Sequence, residues 1–225
     1  MMWIIAGQQV STPLPIPTLW LLAEYLLDGN ANDTSGNGNN GTATDITYVT
    51  PTGASVQVAQ WSSTGRISIP DLSLSWSSGF TFSCVFYFDA GSTVEQPIWY
   101  NHSGDFYFRV RSLSGNNMQF AIQDTGSSRI VTSSVLSSGW YHMTMRATNN
   151  GSMSIHLNNS SIWSTSVWTL TTISSGLWNA FLLAWRFGTS ENWQEKMALC
   201  RFYNRELNTT EIWQLYTEAT TKIGF

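Results

Sequence analysis

The sequence predicts an all-β fold: a two-sheet antiparallel jelly-roll sandwich with one C-terminal helix. Three observations carry this. Apolar residues recur at every second position through most of the chain. Clusters of Gly, Asn and Ser interrupt these runs at short intervals. One late segment alone switches to a helical period. About a dozen strands fit the pattern, with no intervening helices to build a parallel sheet. A length of 225 residues suits one sandwich, and 14% aromatics, including 12 Trp, supply a large core.

Taken in order, residues 1–18 form an extended arm and residues 19–225 the domain. Pro13, Pro15 and Pro17 alternate in TPLPIPT, and proline cannot donate to a strand ladder. Trp3, Ile4 and Ile5 give the arm an apolar tip that is costly to leave in water. Docking on a neighbouring subunit of a homo-oligomer is the expectation; a frayed leader is the alternative. The domain opens on the apolar run LLAEYLL, followed by DGNANDTSGNGNNGT. From Asp28 to Thr42 that stretch holds five Asn, four Gly and two Asp. A linker fits poorly, because the stretch lies between core strands. Two readings stay open. Asp28 and Asp33, with carbonyls freed by the glycines, are the hard oxygen ligands Ca²⁺ takes. Alternatively, Asn and Asp bond their own backbone in a string of Asx turns.

The strands that follow alternate clearly. FTFSCVFYF points Phe80, Phe82, Cys84, Phe86 and Phe88 one way. DFYFRVRS sends Phe106, Phe108 and Val110 inward, and Tyr107, Arg109 and Arg111 outward. NMQFAIQD separates Met118, Phe120 and Ile122 from Gln119, Ala121 and Gln123. GSMSIHLN separates Met153, Ile155 and Leu157 from Ser152, Ser154 and His156. Cys84 and Cys200 each lie in an apolar strand and are expected as buried thiols rather than a bridge. LNTTEIWQLYTEA predicts a helix over 209–219. Asn208 is its N-cap, Glu211 completes a capping box, and Leu207 and Ile212 hold the staple positions.

Composition excludes some functions. Charged residues are 11% of the chain, Lys196 and Lys222 are its lysines, and the net charge is −4. Nucleic acid is not an expected partner, since phosphate binding needs clustered Lys and Arg. The apolar run Leu19 to Leu27 contains Glu24 and falls short of the ~20 residues of a spanning helix, so no membrane insertion is expected. MMWIIAGQQV lacks the basic start and apolar length of a secretory signal. A surface rich in hydroxyls and amides then fits a virion, or an extracellular surface reached without a signal. The outward face of the 105–124 hairpin carries Tyr107, Arg109 and Gln123, with Trp99 and Trp193 near turns or strand ends. Rings and hydrogen-bonding groups together suit a glycan; an ordinary solvated sheet face is the alternative.

Several stretches, in this order, resemble laminin G-like, concanavalin A-like jelly-roll domains: YLLDGNANDTSGNGNNGT, VQVAQWSSTGRISIP, FTFSCVFYF, WYHMTMRATNNGSMSIHLNN and CRFYNRELNTTEIWQLY. The resemblance covers residues 20 to 217. It implies a sandwich of two antiparallel sheets and a module that binds carbohydrate or protein. It implies core roles for Trp61 and Trp140, a structural role for His142, and a calcium ion near the opening loop. The chain departs from the family where Glu195, Met197 and Ala198 replace a Gly, an apolar residue and an Asp. It departs again at Asn159, in place of a turn Gly. Hydrolases of this fold use Glu-x-Asp-x-x-Glu; ENWQE, with Glu191 and Glu195, lacks the middle Asp. The expectation is therefore a non-catalytic, lectin-like attachment or structural module. Its partners would be a glycan or cell-surface receptor and other virion or surface proteins, as for a phage or virus spike, fibre or decoration protein. Alternatives are a pure assembly protein that binds no glycan, and a carbohydrate-binding module of a secreted system.

Overall fold

The computed structural model describes residues 15–72, 79–90, 96–103, 106–113, 116–124, 127–147, 153–165, 181–183 and 195–225. In chain order these contain β1 (Leu21–Tyr25), β2 (Thr42–Val49), β3 (Val58–Ile69), β4 (Phe80–Phe88), β5 (Gln96–Ser103), β6 (Phe106–Leu113) and β7 (Asn117–Asp124). There follow β8 (Ser127–Thr132), β9 (Gly139–Ala147), β10 (Met153–Leu157), β11 (Ser160–Thr165), β12 (Phe181–Leu183), β13 (Lys196–Tyr203) and the helix α1 (Thr209–Ile223).

All the strand pairs are antiparallel. Hydrogen bonding runs without a break through β11-β10-β9-β4-β13-β3-β12-β5-β6-β7-β8, with β1 paired to β13 and β2 to β3; we read it as two layers, β1-β13-β4-β9-β10-β11 and β2-β3-β12-β5-β6-β7-β8. The layers are joined where Lys196 and Met197 of β13 pair with Gln60 and Ala59 of β3. Further along the same strand, Cys200 to Tyr203 pair with β1 instead. The switch of neighbour falls at a register shift between Ala198 and Arg201, where Leu199 takes φ +51°. A bulge of this kind bends its strand and increases its twist. Both layers contribute to one buried cluster: Tyr25, Trp61, Ile67, Phe82, Phe86, Met143 and Phe202 meet there. Every second residue of β4, from Phe80 to Phe88, belongs to it, as the alternation requires. Cys84 and Cys200 are buried free thiols in the same cluster. Burial, and then the hydrogen bond to Cys200, push the Cys84 thiol well above its usual range.

The other face of the first layer is not left to water. α1 starts as the sequence predicts. The Asn208 side chain accepts the Glu211 amide, Glu211 returns to the Asn208 amide, and Leu207 and Ile212 are buried together. It runs four residues beyond the expected end. The Thr220 and Thr221 hydroxyls bond the Thr217 carbonyl, and Gly224 at φ +80° closes the helix. Ala219 and Ile223 pack with Val85 and Leu199.

Under this cover lies a buried polar layer. Ser154 and His156 of β10, expected as an outward face, are buried, as are Thr81 and Ser83 of β4. Each has its bonds. The Arg146 guanidinium donates to the Ser154 hydroxyl and to the Leu207 carbonyl. His142 Nε2 lies 2.9 Å from the Ser83 hydroxyl. Arg201 is 1% exposed; its Nε is 2.7 Å from Glu24 Oε1 and its Nη2 is 2.7 Å from Glu218 Oε2. Glu218 also meets Lys222 one turn on. The β10–β11 turn uses Asn158 and Asn159, both at positive φ (48° and 62°), so Asn159 does the work of the expected Gly.

Candidate functional site

The amide-rich loop after β1 is built around Asp33. Its Oδ1 accepts the amides of Glu24 (2.9 Å) and Ser35 (2.8 Å), and its Oδ2 accepts that of Asn39 (2.9 Å). Partial burial pushes the Asp33 carboxyl up, but these amide bonds outweigh it and hold the group below its ordinary pKa. The loop also runs back along β1. Asn37 Nδ2 donates to the carbonyls of Leu21 (2.7 Å) and Leu22 (3.1 Å), and Asn39 Nδ2 to that of Leu22 (2.8 Å). Tyr25, buried in the core, donates its hydroxyl to the Asn39 carbonyl at 2.6 Å. Gly41 is where the loop meets β3: a Cβ there would lie 2.9 Å from Ile67 and 3.0 Å from the Ala31 carbonyl.

Asp28 is engaged elsewhere, accepting the Gln57 amide at 2.9 Å. Among the described residues no group of three His, Cys, Asp or Glu side chains gathers as a metal site. An amide N–H and a cation compete for the same carboxylate lone pairs, and Ca²⁺ asks for about six to eight oxygens. The donor set around Asp33 is filled by amides and does not fit a resident Ca²⁺. Replacing Asp33 by Ala orphans those amides and should cost about 2 kcal/mol, whereas EDTA should leave thermal unfolding unchanged. A melting temperature that falls in chelator would put a cation on these oxygens.

The hairpin residues are placed by backbone register. Tyr107 of β6 pairs with Gln123 of β7, and Arg109, two residues on, pairs with Ala121. Directly opposed residues share a face of the sheet, so Tyr107, Arg109 and Gln123 occupy one phase of the ladder. Trp99 pairs with Val110, one residue out of that phase, and Tyr100 is the β5 partner of Arg109. Trp193, Trp3, Ile4 and Ile5 lie outside the described residues. The described end of the arm touches the domain itself: Ile16 packs with Tyr203, Leu207, Ile212 and Leu215.

Trp61 is core, as expected, but Trp140 is not in the same cluster. It lies half-buried on the outer face, against the second cluster and beside Tyr87. There an open cleft of about 570 Å³ has Gln60, Tyr87, Trp140 and Lys196 among its walls. Gln60, Tyr87 and Lys196 were not legible as site residues, because they come from three strands far apart in sequence. The signal available was parity. Tyr87 and Trp140 fall on the opposite alternation from the core residues of their own strands.

Two antiparallel layers packed on an aromatic core, with a helix over one outer face, define a jelly-roll sandwich fold. The chain belongs to the concanavalin A-like lectin/glucanases superfamily, whose family model matches residues 62–213. No curated protein matches it in sequence. Solved structures share its fold at low identity. The binding domain of Paraclostridial Mosquitocidal Protein 1 superposes with a TM-score of 0.73 at 18% identity, over 88% of this chain and 52% of that one. The botulinum neurotoxin DC binding domain, solved in complex with SialylT, gives 0.72 at 14%, over 89% and 52%. Domain 4 of AbnA, a GH43 extracellular arabinanase from Geobacillus stearothermophilus, solved with arabinotriose, gives 0.70 at 16%, over 87% and 98%. The chain thus spans about half the length of the two toxin binding domains.

Proposed function

We propose that this chain is a non-catalytic, lectin-like attachment module that binds glycans at the exterior of a particle or cell. The observation that carries the reading is the register of β6 and β7, which puts Tyr107 opposite Gln123 and Arg109 in the same phase. A tyrosine, a glutamine and an arginine then occupy one phase of the ladder. Such a strip can stack on a sugar's C–H face while bonding its hydroxyls. The fold supports the reading, since two of the similar solved structures are binding domains and a third, a domain of an arabinanase, was solved with arabinotriose. Tyr107→Ala should weaken glycan binding at least about tenfold, roughly 1.4 kcal/mol, with unfolding unchanged. A glycan array, followed by titration of the best hit, measures this.

A second reading is pure assembly. The exposed Leu19 and Trp20 at the root of the arm favour it, because they offer an apolar surface for a subunit contact. A wild-type array without a hit, together with an oligomer that dissociates when residues 1–12 are removed, would replace the first reading with this one.

A further inference from the structure

The outer-face cleft has an organisation that simple packing does not require. Gln60 of β3 is the cross-strand partner of Lys196 of β13, and Tyr87 of β4 is the partner of Trp140 of β9. The four strands lie side by side in that order, β3-β13-β4-β9 with β3 and β9 at the ends. In the register that pairs Met197 with Phe86, Lys196 and Tyr87 come next to each other. The result is a single row of four side chains across four strands, roughly 14 Å long at ~4.8 Å per strand. All four are half-buried, which leaves part of each side chain open to solvent. The Tyr87 and Trp140 rings are 5.5 Å apart at 76°, so one presents its face where the other presents its edge. Lys196 Nζ is held 4.8 Å above the Tyr87 ring and 3.9 Å from the Glu195 carboxylate. The hydroxyl-bearing Thr50 and Thr52 also line the cleft.

We propose that this row is a second binding site, distinct from the β6–β7 strip, and that it takes one to three rings of a neutral glycan. The aromatic half offers a surface for the C–H face of a pyranose or furanose ring. The other half offers a carboxamide that both donates and accepts, an ammonium with three donors, and two hydroxyls. Few polar groups converging on a ring-sized apolar surface are the usual make-up of a small-molecule site. Charge sets the class. Lys196 already has Glu195 beside it, and Asp89 is near enough to act on Glu195 electrostatically. Among the described residues that line the cleft no positive charge is left over for a sialic acid or a sulfate, and a like-charge approach costs binding energy. A nucleic acid is disfavoured on the same ground, and an apolar helix would strand the Gln60 and Lys196 polar groups.

The test uses the full chain. Maltotriose, cellotriose and xylotriose serve as neutral probes and sialyllactose as the anionic one. Binding is followed by saturation-transfer NMR and by titration of Trp fluorescence. At least one neutral trisaccharide should bind. Gln60→Ala should weaken it about tenfold or more with unchanged thermal unfolding, and Tyr107→Ala should leave this binding intact. Trp140→Phe keeps a ring against the second hydrophobic cluster, so it reports on stacking area even if Trp140→Ala fails to fold, and it should weaken binding too. Binding that ignores Gln60→Ala and Trp140→Phe but is lost in Tyr107→Ala overturns the cleft while the β6–β7 reading stands. Sialyllactose bound more tightly than every neutral probe, in a Gln60-dependent way, overturns the neutral class. No neutral probe bound by the wild-type chain overturns the site.

Discussion

Arg201→Met should lower the unfolding free energy by about 3–5 kcal/mol, and with it the melting temperature by roughly 6–20 °C for a domain of this size. The side chain is buried between two carboxylates. Its Nε and Nη2 lie 2.7 Å from Glu24 and Glu218 respectively. Methionine fills much of the volume but leaves both acids buried without their cation. Glu24 keeps the Thr34 hydroxyl at 2.6 Å, and Glu218 keeps Lys222 at 2.7 Å, neither of which replaces the guanidinium. The cost comes from stranding charge more than from losing attraction, because an intact buried pair nearly cancels against its own desolvation. The combined Glu24→Gln, Arg201→Met, Glu218→Gln variant should therefore recover most of the loss. Urea unfolding of the single and triple variants measures both. A single variant that costs under about 1 kcal/mol would mean the trio does not hold β1, β13 and α1 together.

Acid should weaken the fold through its buried histidines. His142 is buried beneath α1, with Ser83 and Thr144 beside it, the Tyr216 ring 6.1 Å away, and Arg201 and His156 acting on it as positive charges. Burial first, then Arg201 and His156, push its pKa from 6.5 down to about 3. The folded chain thus keeps this imidazole neutral where the unfolded chain protonates it. Stability is fully present above pH 6.5 and is lost as pH falls from 6.5 toward 3, by at most about 1.4 kcal/mol per unit. His156 is shifted in the same direction, by burial and then by Arg146, and adds to the slope. His142→Gln, which can still meet the Ser83 hydroxyl, should flatten the curve between pH 6.5 and 5. Denaturant midpoints at pH 7.5, 6 and 5 give the answer. A wild-type protein equally stable at all three, or a variant with the same slope, contradicts the assignment.

Alternation in the sequence reports which side chains face the core, and on that point β4 and β10 behave as expected. It does not report what covers the other face. Ser154 and His156 read as the outward face of their strand, yet they are buried, with the Arg146 guanidinium bonded to Ser154. The helix start was legible because a capping box is a local pattern. Its end was not, because Thr220 and Thr221 are poor helix formers that hold on through hydroxyl bonds to Thr217. Asp33 was legible as an oxygen donor. What decides between cation and Asx turns is where the amides of Glu24, Ser35 and Asn39 point, and that is set by the fold. The Gln60, Lys196, Tyr87 and Trp140 row needs four strands in one register, which no window of sequence contains.

The loop after β1 has a consequence for how copies of this chain meet. A sheet ends in a strand whose outer carbonyls and amides can recruit a strand from another molecule. In the first layer β1 is such a terminal strand. Its Leu21 and Leu22 carbonyls are taken by Asn37 and Asn39, its Glu24 amide by Asp33, and its Glu24 carbonyl by the Thr34 amide at 2.8 Å. Side chains that bond this way lend no backbone ladder for a further strand to copy. Lateral growth of the sheet is stopped at this margin by carboxamides, one carboxylate and the Thr34 amide, without the charged gatekeepers that usually guard such margins.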